Sequence, residues 1–201
     1  MLCICAGSLH DAGATDQTSV LYKGIARHFS WKNFGFKLFL PSNALPSGVA
    51  ECLITIKAIG EGQFKFPDDT EPVSGIYSIS SPCTLQKLPV VEIQHCAVVK
   101  TAENCFRLRF VVARSSGLQQ VIHSFSVEDG GDFSPNNSYG RIEITQFSWW
   151  SIVYNLLHGR IHSVERVYSA SLYYIQDGID NWKVYFVITW DLDVHIQVRF
   201  V

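Results

Sequence analysis

A tripeptide near residue 148 combines side chains that could do chemistry on their own backbone. It reads Gln146-Phe147-Ser148, with a hydroxyl nucleophile directly after a bulky aromatic residue. A serine attacks a carbonyl when a nearby base takes its proton, and histidine does this near neutral pH. Gln146 has no nitrogen that titrates in this range, so it cannot be that base. The tripeptide alone therefore holds a nucleophile without a general base.

A near copy of this tripeptide lies upstream and does contain a histidine. It reads His28-Phe29-Ser30. It precedes the first strongly alternating stretch, so we expect it on a flexible lead-in segment that cannot strain a peptide bond. We therefore expect neither copy to cut efficiently.

Two cysteine-containing patterns favour structural roles. His95 and Cys96 are adjacent, and consecutive strand residues point to opposite faces, so the two side chains cannot share a proton. Cys3, Cys5 and His10 lack the spacing and the fourth ligand of a structural zinc site. We expect buried packing residues at the first pattern and no metal at the second.

The glycine-rich and basic stretches also favour structural roles. Residues 129–140 (DGGDFSPNNSYG) lack the ligand spacing and closing glutamate of an EF-hand, so they predict a hairpin connection. No helix follows residues 60–62, which predict a turn and no phosphate site. Arg107, Arg109 and Arg114 predict the solvated face of a strand, with an acidic partner as the alternative.

The composition is that of a folded protein with a substantial core. The 201 residues are 47% hydrophobic and 13% aromatic, which excludes disorder over most of the chain. A net charge of −2 gives no electrostatic attraction to nucleic acid or an acidic membrane. No apolar run reaches the roughly 18 residues of a membrane helix, and the first residues lack the basic region of a signal peptide.

The six cysteines are irregularly spaced and mostly lie within apolar patterns. A disulfide scaffold would need regular spacing in a small secreted chain. Reduced, buried cysteines are expected, which favours a cytoplasmic location.

Alternation of apolar and polar residues dominates the chain and predicts antiparallel strands with one solvated face. The clearest examples are FGFKLFLP (34–41), ECLITIKAI (51–59), CFRLRFVV (105–112), WKVYFVITW (182–190) and VHIQVRFV (194–201). WWSIVYNLLHG (149–159) is the nearest approach to a helix, but its aromatic and branched residues favour a strand. The alternation places Phe34 with Phe36 on one face, and Phe106 with Leu108 on another.

Turn residues separate these strands at spacings of about 8–12 residues, which predicts an all-β antiparallel sandwich. The polar, small residues of 1–29 predict a disordered tail, and 30–155 the sandwich. Residues 156–167 interrupt the strand pattern and predict a linker. Residues 168–201 predict the start of a second β unit that is too short to close.

Several stretches resemble the ZU-five domain, named for the zonula occludens scaffold and the uncoordinated-five netrin receptors, and also found in ankyrins. FGFKLFLPSNALPSGV (34–49) is similar to its opening motif, a strand running into Pro-x-x-Ala-Leu-Pro-x-Gly. Pro41 would end that strand, Pro46 would fix φ in the turn, and Gly48 would supply a permissive backbone position.

Three further stretches carry the resemblance across residues 30–155. FKFPDDTEPVSGIYSI (64–79) resembles the next strand pair, LPVVEIQHCA (88–97) a Pro-Val…His-Cys strand, and YGRIEITQFSWWSIV (139–153) the closing strand. Residues 168–198 are more loosely similar to the first strands of the UPA domain, which follows this domain in relatives.

The resemblance implies a cytoplasmic, non-enzymatic protein-binding module in a signalling or membrane-cytoskeleton scaffold, with no cofactor, metal or small-molecule substrate. Its partners would be UPA and death-domain neighbours or a cytoskeletal protein. Self-association is a further expectation, because an unfinished β unit exposes strand edges. Some relatives cut themselves at a His-Phe-Ser in the closing strand, and the glutamine here implies that this chemistry is lost.

Three alternatives remain open. One is an autoproteolytic signalling protein that cleaves between Phe147 and Ser148 with another base, such as His123 or His158. Another is the cytoplasmic part of a netrin-type receptor. The last is a secreted β-sandwich with disulfides and a glycan at Asn136, which lies in an Asn-Asn-Ser sequon.

Overall fold

The computed structural model describes residues 16–59, 63–114, 122–156, 166, 168–176 and 182–190. They form the strands β1 (Asp16–Tyr22), β2 (Arg27–Trp31), β3 (Phe36–Leu40), β4 (Glu51–Ile59), β5 (Gln63–Lys65), β6 (Thr70–Pro72), β7 (Ile76–Ser80), β8 (Val90–Gln94), β9 (Leu108–Ala113), β10 (Ile122–Ser124), β11 (Ser126–Glu128), β12 (Tyr139–Glu143), β13 (Trp149–Asn155), β14 (Tyr168–Gln176) and β15 (Trp182–Trp190). A 3₁₀ turn (Lys32–Phe34) and a one-turn helix, α1 (Ala102–Cys105), interrupt them.

Two antiparallel sheets form a sandwich, as predicted. The seven-stranded sheet has the order β1-β4-β7-β13-β9-β11, and β6 also pairs with β13. The four-stranded sheet has the order β12-β8-β3-β2. Because the side chains of a strand alternate between its faces, each sheet turns one apolar row toward the other.

The apolar rows meet in one core. Phe36 and Leu38 of β3, Ile54 and Ile56 of β4 and Trp150 of β13 are each at most 1% exposed. Burying each of these side chains contributes roughly 1.5–3 kcal/mol. The predicted inward faces of β3 and β4 are therefore confirmed.

Helical turns shift the predicted period at two phenylalanines. Phe34 lies in the 3₁₀ turn and packs on Trp31, with ring centroids 4.0 Å apart. Phe106 follows α1 and is 72% exposed, so its predicted place beside buried Leu108 is wrong. The helical turn is capped by Thr101, whose hydroxyl accepts the Asn104 N–H at 3.3 Å.

A short ribbon covers part of the outer face of the seven-stranded sheet. β5 and β10 pair in parallel there. Phe64 and Phe125 pack with Val111 and Val153, which are both fully buried. This second cluster buries outer-face positions of β9 and β13 that alternation alone would assign to solvent.

The predicted tail is wrong from Asp16 onward. β1 pairs with β4 along all seven of its residues, and β2 pairs with β3. Leu21 and Trp31 lie in the core, at 1% and 5% exposure. The alternation of these strands is hard to recognise because their outer faces carry polar residues. The rest of the predicted tail, residues 1–15, lies outside the described part of the chain.

Residues 129–140 do not form the predicted hairpin connection. They join β11 to β12, which belong to different sheets. Phe133 anchors the crossing by stacking on Phe110, with centroids 5.2 Å apart. The turn signals were correct, but local composition does not say which sheet the next strand joins.

In the predicted second unit, β14 and β15 pair antiparallel from Tyr168↔Trp190 to Gln176↔Trp182. The predicted strand at 194–201 lies outside the described residues. So does most of the predicted linker, although Arg166 forms a bridge with Ala97 and an ion pair with Glu71 at 2.5 Å.

The turn after β3 follows the predicted proline and glycine chemistry. β3 ends at Leu40, directly before Pro41, and the Val49 N–H bonds to the Pro46 carbonyl at 3.2 Å. Gly48 has φ +94°, which disfavours side chains. No described helix is long and apolar enough to cross a membrane.

Gly35 and Gly48 offer a matched test of crowding. Gly35 has φ +58°, and a Cβ there would lie 2.7 Å from the Cβ of buried Gln94, whereas nothing lies within 4 Å of one at Gly48. Gly48→Ala should cost about 1–2 kcal/mol for backbone strain alone. Gly35→Ala should cost at least about 1 kcal/mol more, measured by urea unfolding. Equal losses would show that Gln94 moves freely.

Candidate functional site

The tripeptide at residues 146–148 lies in a bend between the two sheets. The predicted closing strand is in fact two strands, β12 and β13, which belong to different sheets. The bend is held at both ends by backbone hydrogen bonds. The Ile144 N–H donates to the Pro89 carbonyl, and the Ile79 N–H to the Ser148 carbonyl, both at 2.9 Å.

Ser148 is the buried member of the tripeptide. It is 6% exposed, whereas Gln146 is exposed and Phe147 is half-buried. Its hydroxyl donates at 2.6 Å to the carbonyl of Ala113, the last residue of β9, which pairs with Trp149. This bond satisfies a buried carbonyl and directs the hydroxyl proton to a neighbouring strand.

His123 does not supply a base to this serine. Its ring packs on Trp149, with centroids 3.9 Å apart, on the face covered by β5 and β10. Trp150 is buried in the main core, so Ser148, two residues earlier, faces the side opposite Trp149. The other alternative base, His158, lies outside the described residues.

The upstream copy forms part of a regular strand. His28, Phe29 and Ser30 belong to β2 and pair with Phe39, Leu38 and Lys37 of β3. The expected flexible lead-in is therefore wrong, because alternation exposes His28 and Ser30 and turns Phe29 inward.

A groove of about 230 Å³ lies beside the tripeptide. One wall is the segment 81–89, which carries the chain from β7 to β8; the other is the bend 144–147. Both walls are crossovers between the sheets, in opposite directions. Apolar and polar side chains share the lining; the apolar ones include Pro82, Leu85, Leu88, Pro89, Ile144 and Phe147, and the cation is Lys87. Sequence reasoning missed the first wall, whose signal was a proline at each end of a stretch without alternation.

His95 and Cys96 are buried packing residues, at 2% and 1% exposure. They follow β8, and their backbones bond in different directions. The His95 N–H donates to Ser138 and the Cys96 N–H to Val73, at 2.7 and 2.8 Å. Burial lowers the pKa of the His95 imidazole to about 4, which keeps it neutral near pH 7.

The three predicted basic residues, Arg107, Arg109 and Arg114, do not form one continuous surface. The Arg107 guanidinium lies 5.2 Å from the ring of Tyr154 and donates to its hydroxyl at 3.1 Å. Arg109 turns back to the Leu108 carbonyl at 3.0 Å, and Arg114 is exposed. These contacts favour the predicted structural role.

Metal ligands do not cluster in the described part of the chain, where no three His, Cys, Asp or Glu side chains converge. Cys3, Cys5 and His10, and the turn at 60–62, lie outside it. Asn136 is exposed, with φ +60°, in the crossing from β11 to β12.

Expression should test the tripeptide directly. We expect both the wild type and Gln146→His to give one species near 22.6 kDa. An imidazole at the exposed position 146 would not meet a buried hydroxyl that donates to Ala113. Intact mass spectrometry measures this, with Ser148→Ala as the uncut control. Fragments that end at Phe147 in either protein would contradict it.

His95 should make stability depend on pH. Its pKa is about 4 in the folded state and 6.5 when unfolded, so only the unfolded state gains this proton in between. Stability should fall as the pH falls through this window, by about 2 kcal/mol between pH 7 and pH 5. Urea unfolding at both values measures it, and His95→Gln is the control. The expectation fails if both proteins lose the same amount.

The sequence was also compared with known proteins. No protein-family model matches it, and a search of the curated proteins found no match.

Proposed function

We propose that the sandwich is a non-enzymatic protein–protein interaction module that binds its partner at the groove and the adjoining outer face of the four-stranded sheet. The observation that carries this proposal is a pair of exposed apolar side chains beside the groove. Phe39 is 48% and Leu88 is 46% exposed. Large apolar side chains held in water next to a concave surface favour a partner that covers them.

Phe39 and Leu88 belong to one stretch of surface. Phe39 pairs with Val90 between β3 and β8, and Leu88 lies two residues before Val90. The Cα atoms of Leu88 and Val90 are therefore at most about 7.6 Å apart. Leu88 itself lines the groove, so the apolar surface continues toward Phe147.

Polar groups frame this surface. Lys37, also on the outer face of β3, pairs with Glu92 at 3.0 Å and lies 3.8 Å from the centre of the Tyr139 ring. Half-exposed pairs of this kind contribute at most about 1 kcal/mol to stability. Their value to binding is orientation, because apolar anchors within a polar rim are the usual anatomy of an interface.

The non-enzymatic part of the proposal is supported by the state of the tripeptide. The Ser148 hydroxyl is committed to a carbonyl, and the titratable side chains that line the groove are Lys87 and Cys83. Lys87 donates to the Ser42 carbonyl and Cys83 contacts the Cys52 thiol, and neither partner is a histidine or carboxylate of the kind that general acid–base catalysis uses. A cytoplasmic location and membership of the ZU-five family are part of the same proposal.

Quantitative affinity capture from a cell extract tests the function. Phe39→Asp and Leu88→Asp should each reduce the same set of bound proteins by about tenfold or more, because anchor residues dominate binding. Leu53→Asp is the matched control, since Leu53 is also 48% exposed but lies on β4 of the other sheet. Equal losses with the control, or no loss with either variant, would contradict the proposal.

A further inference from the structure

Two thiols meet at the wall of the groove. Cys52 lies on β4 and is 3% exposed, and Cys83 lies in the segment 81–89, half-buried and lining the groove. β4 and β7 pair with Thr55 opposite Ser80. Cys52 lies three residues before Thr55 and Cys83 three residues after Ser80, so both lie beyond the end of this ladder on the same side.

Ser81 fixes the two cysteines in this arrangement. Its hydroxyl donates to the Cys83 carbonyl and accepts from the Cys83 N–H, both at 3.1 Å. The Cys52 sulfur lies 3.1 Å from the same oxygen. Contact with the Cys52 side chain raises the pKa of the Cys83 thiol.

We propose that Cys52 and Cys83 form a disulfide by exchange with a low-molecular-weight disulfide such as oxidised glutathione, and that Cys83 reacts first. The Cys83 thiolate attacks one sulfur of oxidised glutathione, forms a mixed disulfide and releases one glutathione. Cys52 then attacks the Cys83 sulfur, forms the internal disulfide and releases the second glutathione. The two protein thiols are oxidised, and their protons and electrons leave with two molecules of reduced glutathione.

The geometry suits this bond. The Cys52 sulfur and the Cys83 N–H both contact the Ser81 oxygen at 3.1 Å, which brings the two residues near the Cα separation of about 4.4–6.8 Å that a disulfide needs. The groove gives a small disulfide access to Cys83, whereas Cys96 and Cys105 are only 1% and 7% exposed. Because the reacting species is the thiolate, the raised pKa of Cys83 makes the reaction faster at alkaline pH than at neutral pH.

This inference goes beyond the proposed interaction and does not depend on it. The bond would tie one wall of the groove to β4 whatever occupies the groove. It would also form in the purified protein without a partner.

Peptide mapping after incubation with oxidised glutathione tests the bond, because trypsin separates the described cysteines. Cys52 falls in the peptide 38–57, Cys83 in 66–87, Cys96 in 88–100 and Cys105 in 101–107. We expect a linked species of 38–57 with 66–87, two hydrogens lighter than the sum of the peptides. It should exceed any other linked pair by about tenfold or more, since its thiols start in contact. A different dominant pair, or no link above the untreated sample, would overturn the proposal.

Single variants test the order of reaction. Cys52→Ser should stop at a glutathione adduct on Cys83, and Cys83→Ser should leave Cys52 unmodified. Cys105→Ser is the matched control and should still form the linked peptides. An adduct on Cys52 in Cys83→Ser that matches the adduct on Cys83 would overturn the assigned order. The wild-type map stands without these variants if one of them fails to fold.

Discussion

Strand β13 imposes the constraint on which the sandwich depends, because it is buried on both faces and paired on both edges. β9 pairs with one edge from Trp149 to Tyr154. The other edge is shared between β7 and β6, which leaves a gap at Ser151 and Ile152. There the Ile152 N–H donates to the hydroxyl of Ser74 at 2.8 Å, and the Val73 N–H donates to the Ile152 carbonyl at 2.9 Å. A side-chain hydroxyl thus replaces a missing strand, since an unpaired buried backbone group costs about as much as a lost hydrogen bond.

The same constraint explains why the tripeptide is structural. β13 must begin in register with β7 and β9. The residue before Trp149 therefore needs hydrogen bonds to both of these neighbouring strands. Ser148 provides them, accepting from Ile79 through its carbonyl and donating to Ala113 through its hydroxyl. The bend before it then has four residues in which to cross from the other sheet. The groove is the space left between this crossing and the opposite one at 81–89.

Alternation predicted what depends on local sequence, and failed where distant segments decide. The buried faces of β3 and β4 followed from period two, because each packs one row of side chains into the core. The strand at β13 followed from its aromatic and branched residues, since it is buried on both faces. β1 and β2 escaped prediction since pairing with strands far along the chain stabilises polar residues that have no preference of their own. The groove joins segments about 60 residues apart, and Cys52 and Cys83 each look like an inert core cysteine when read alone. The pairing of β4 with β7 brings the two cysteines together, and the sequence does not show which strands pair.

The segment 81–89 therefore connects the proposed thiol chemistry with the proposed binding surface. It has no ladder of its own; Ser81 holds one end, and the Gln86 N–H and Lys87 ammonium bond to the carbonyls of Ala44 and Ser42 at 2.7 and 2.9 Å. Leu88 follows directly. A bond from Cys83 to β4 would add a covalent tether to these hydrogen bonds without adding any contact to a partner. Its effect on binding would be entropic, because a wall already held in its bound position loses less freedom when a partner covers it.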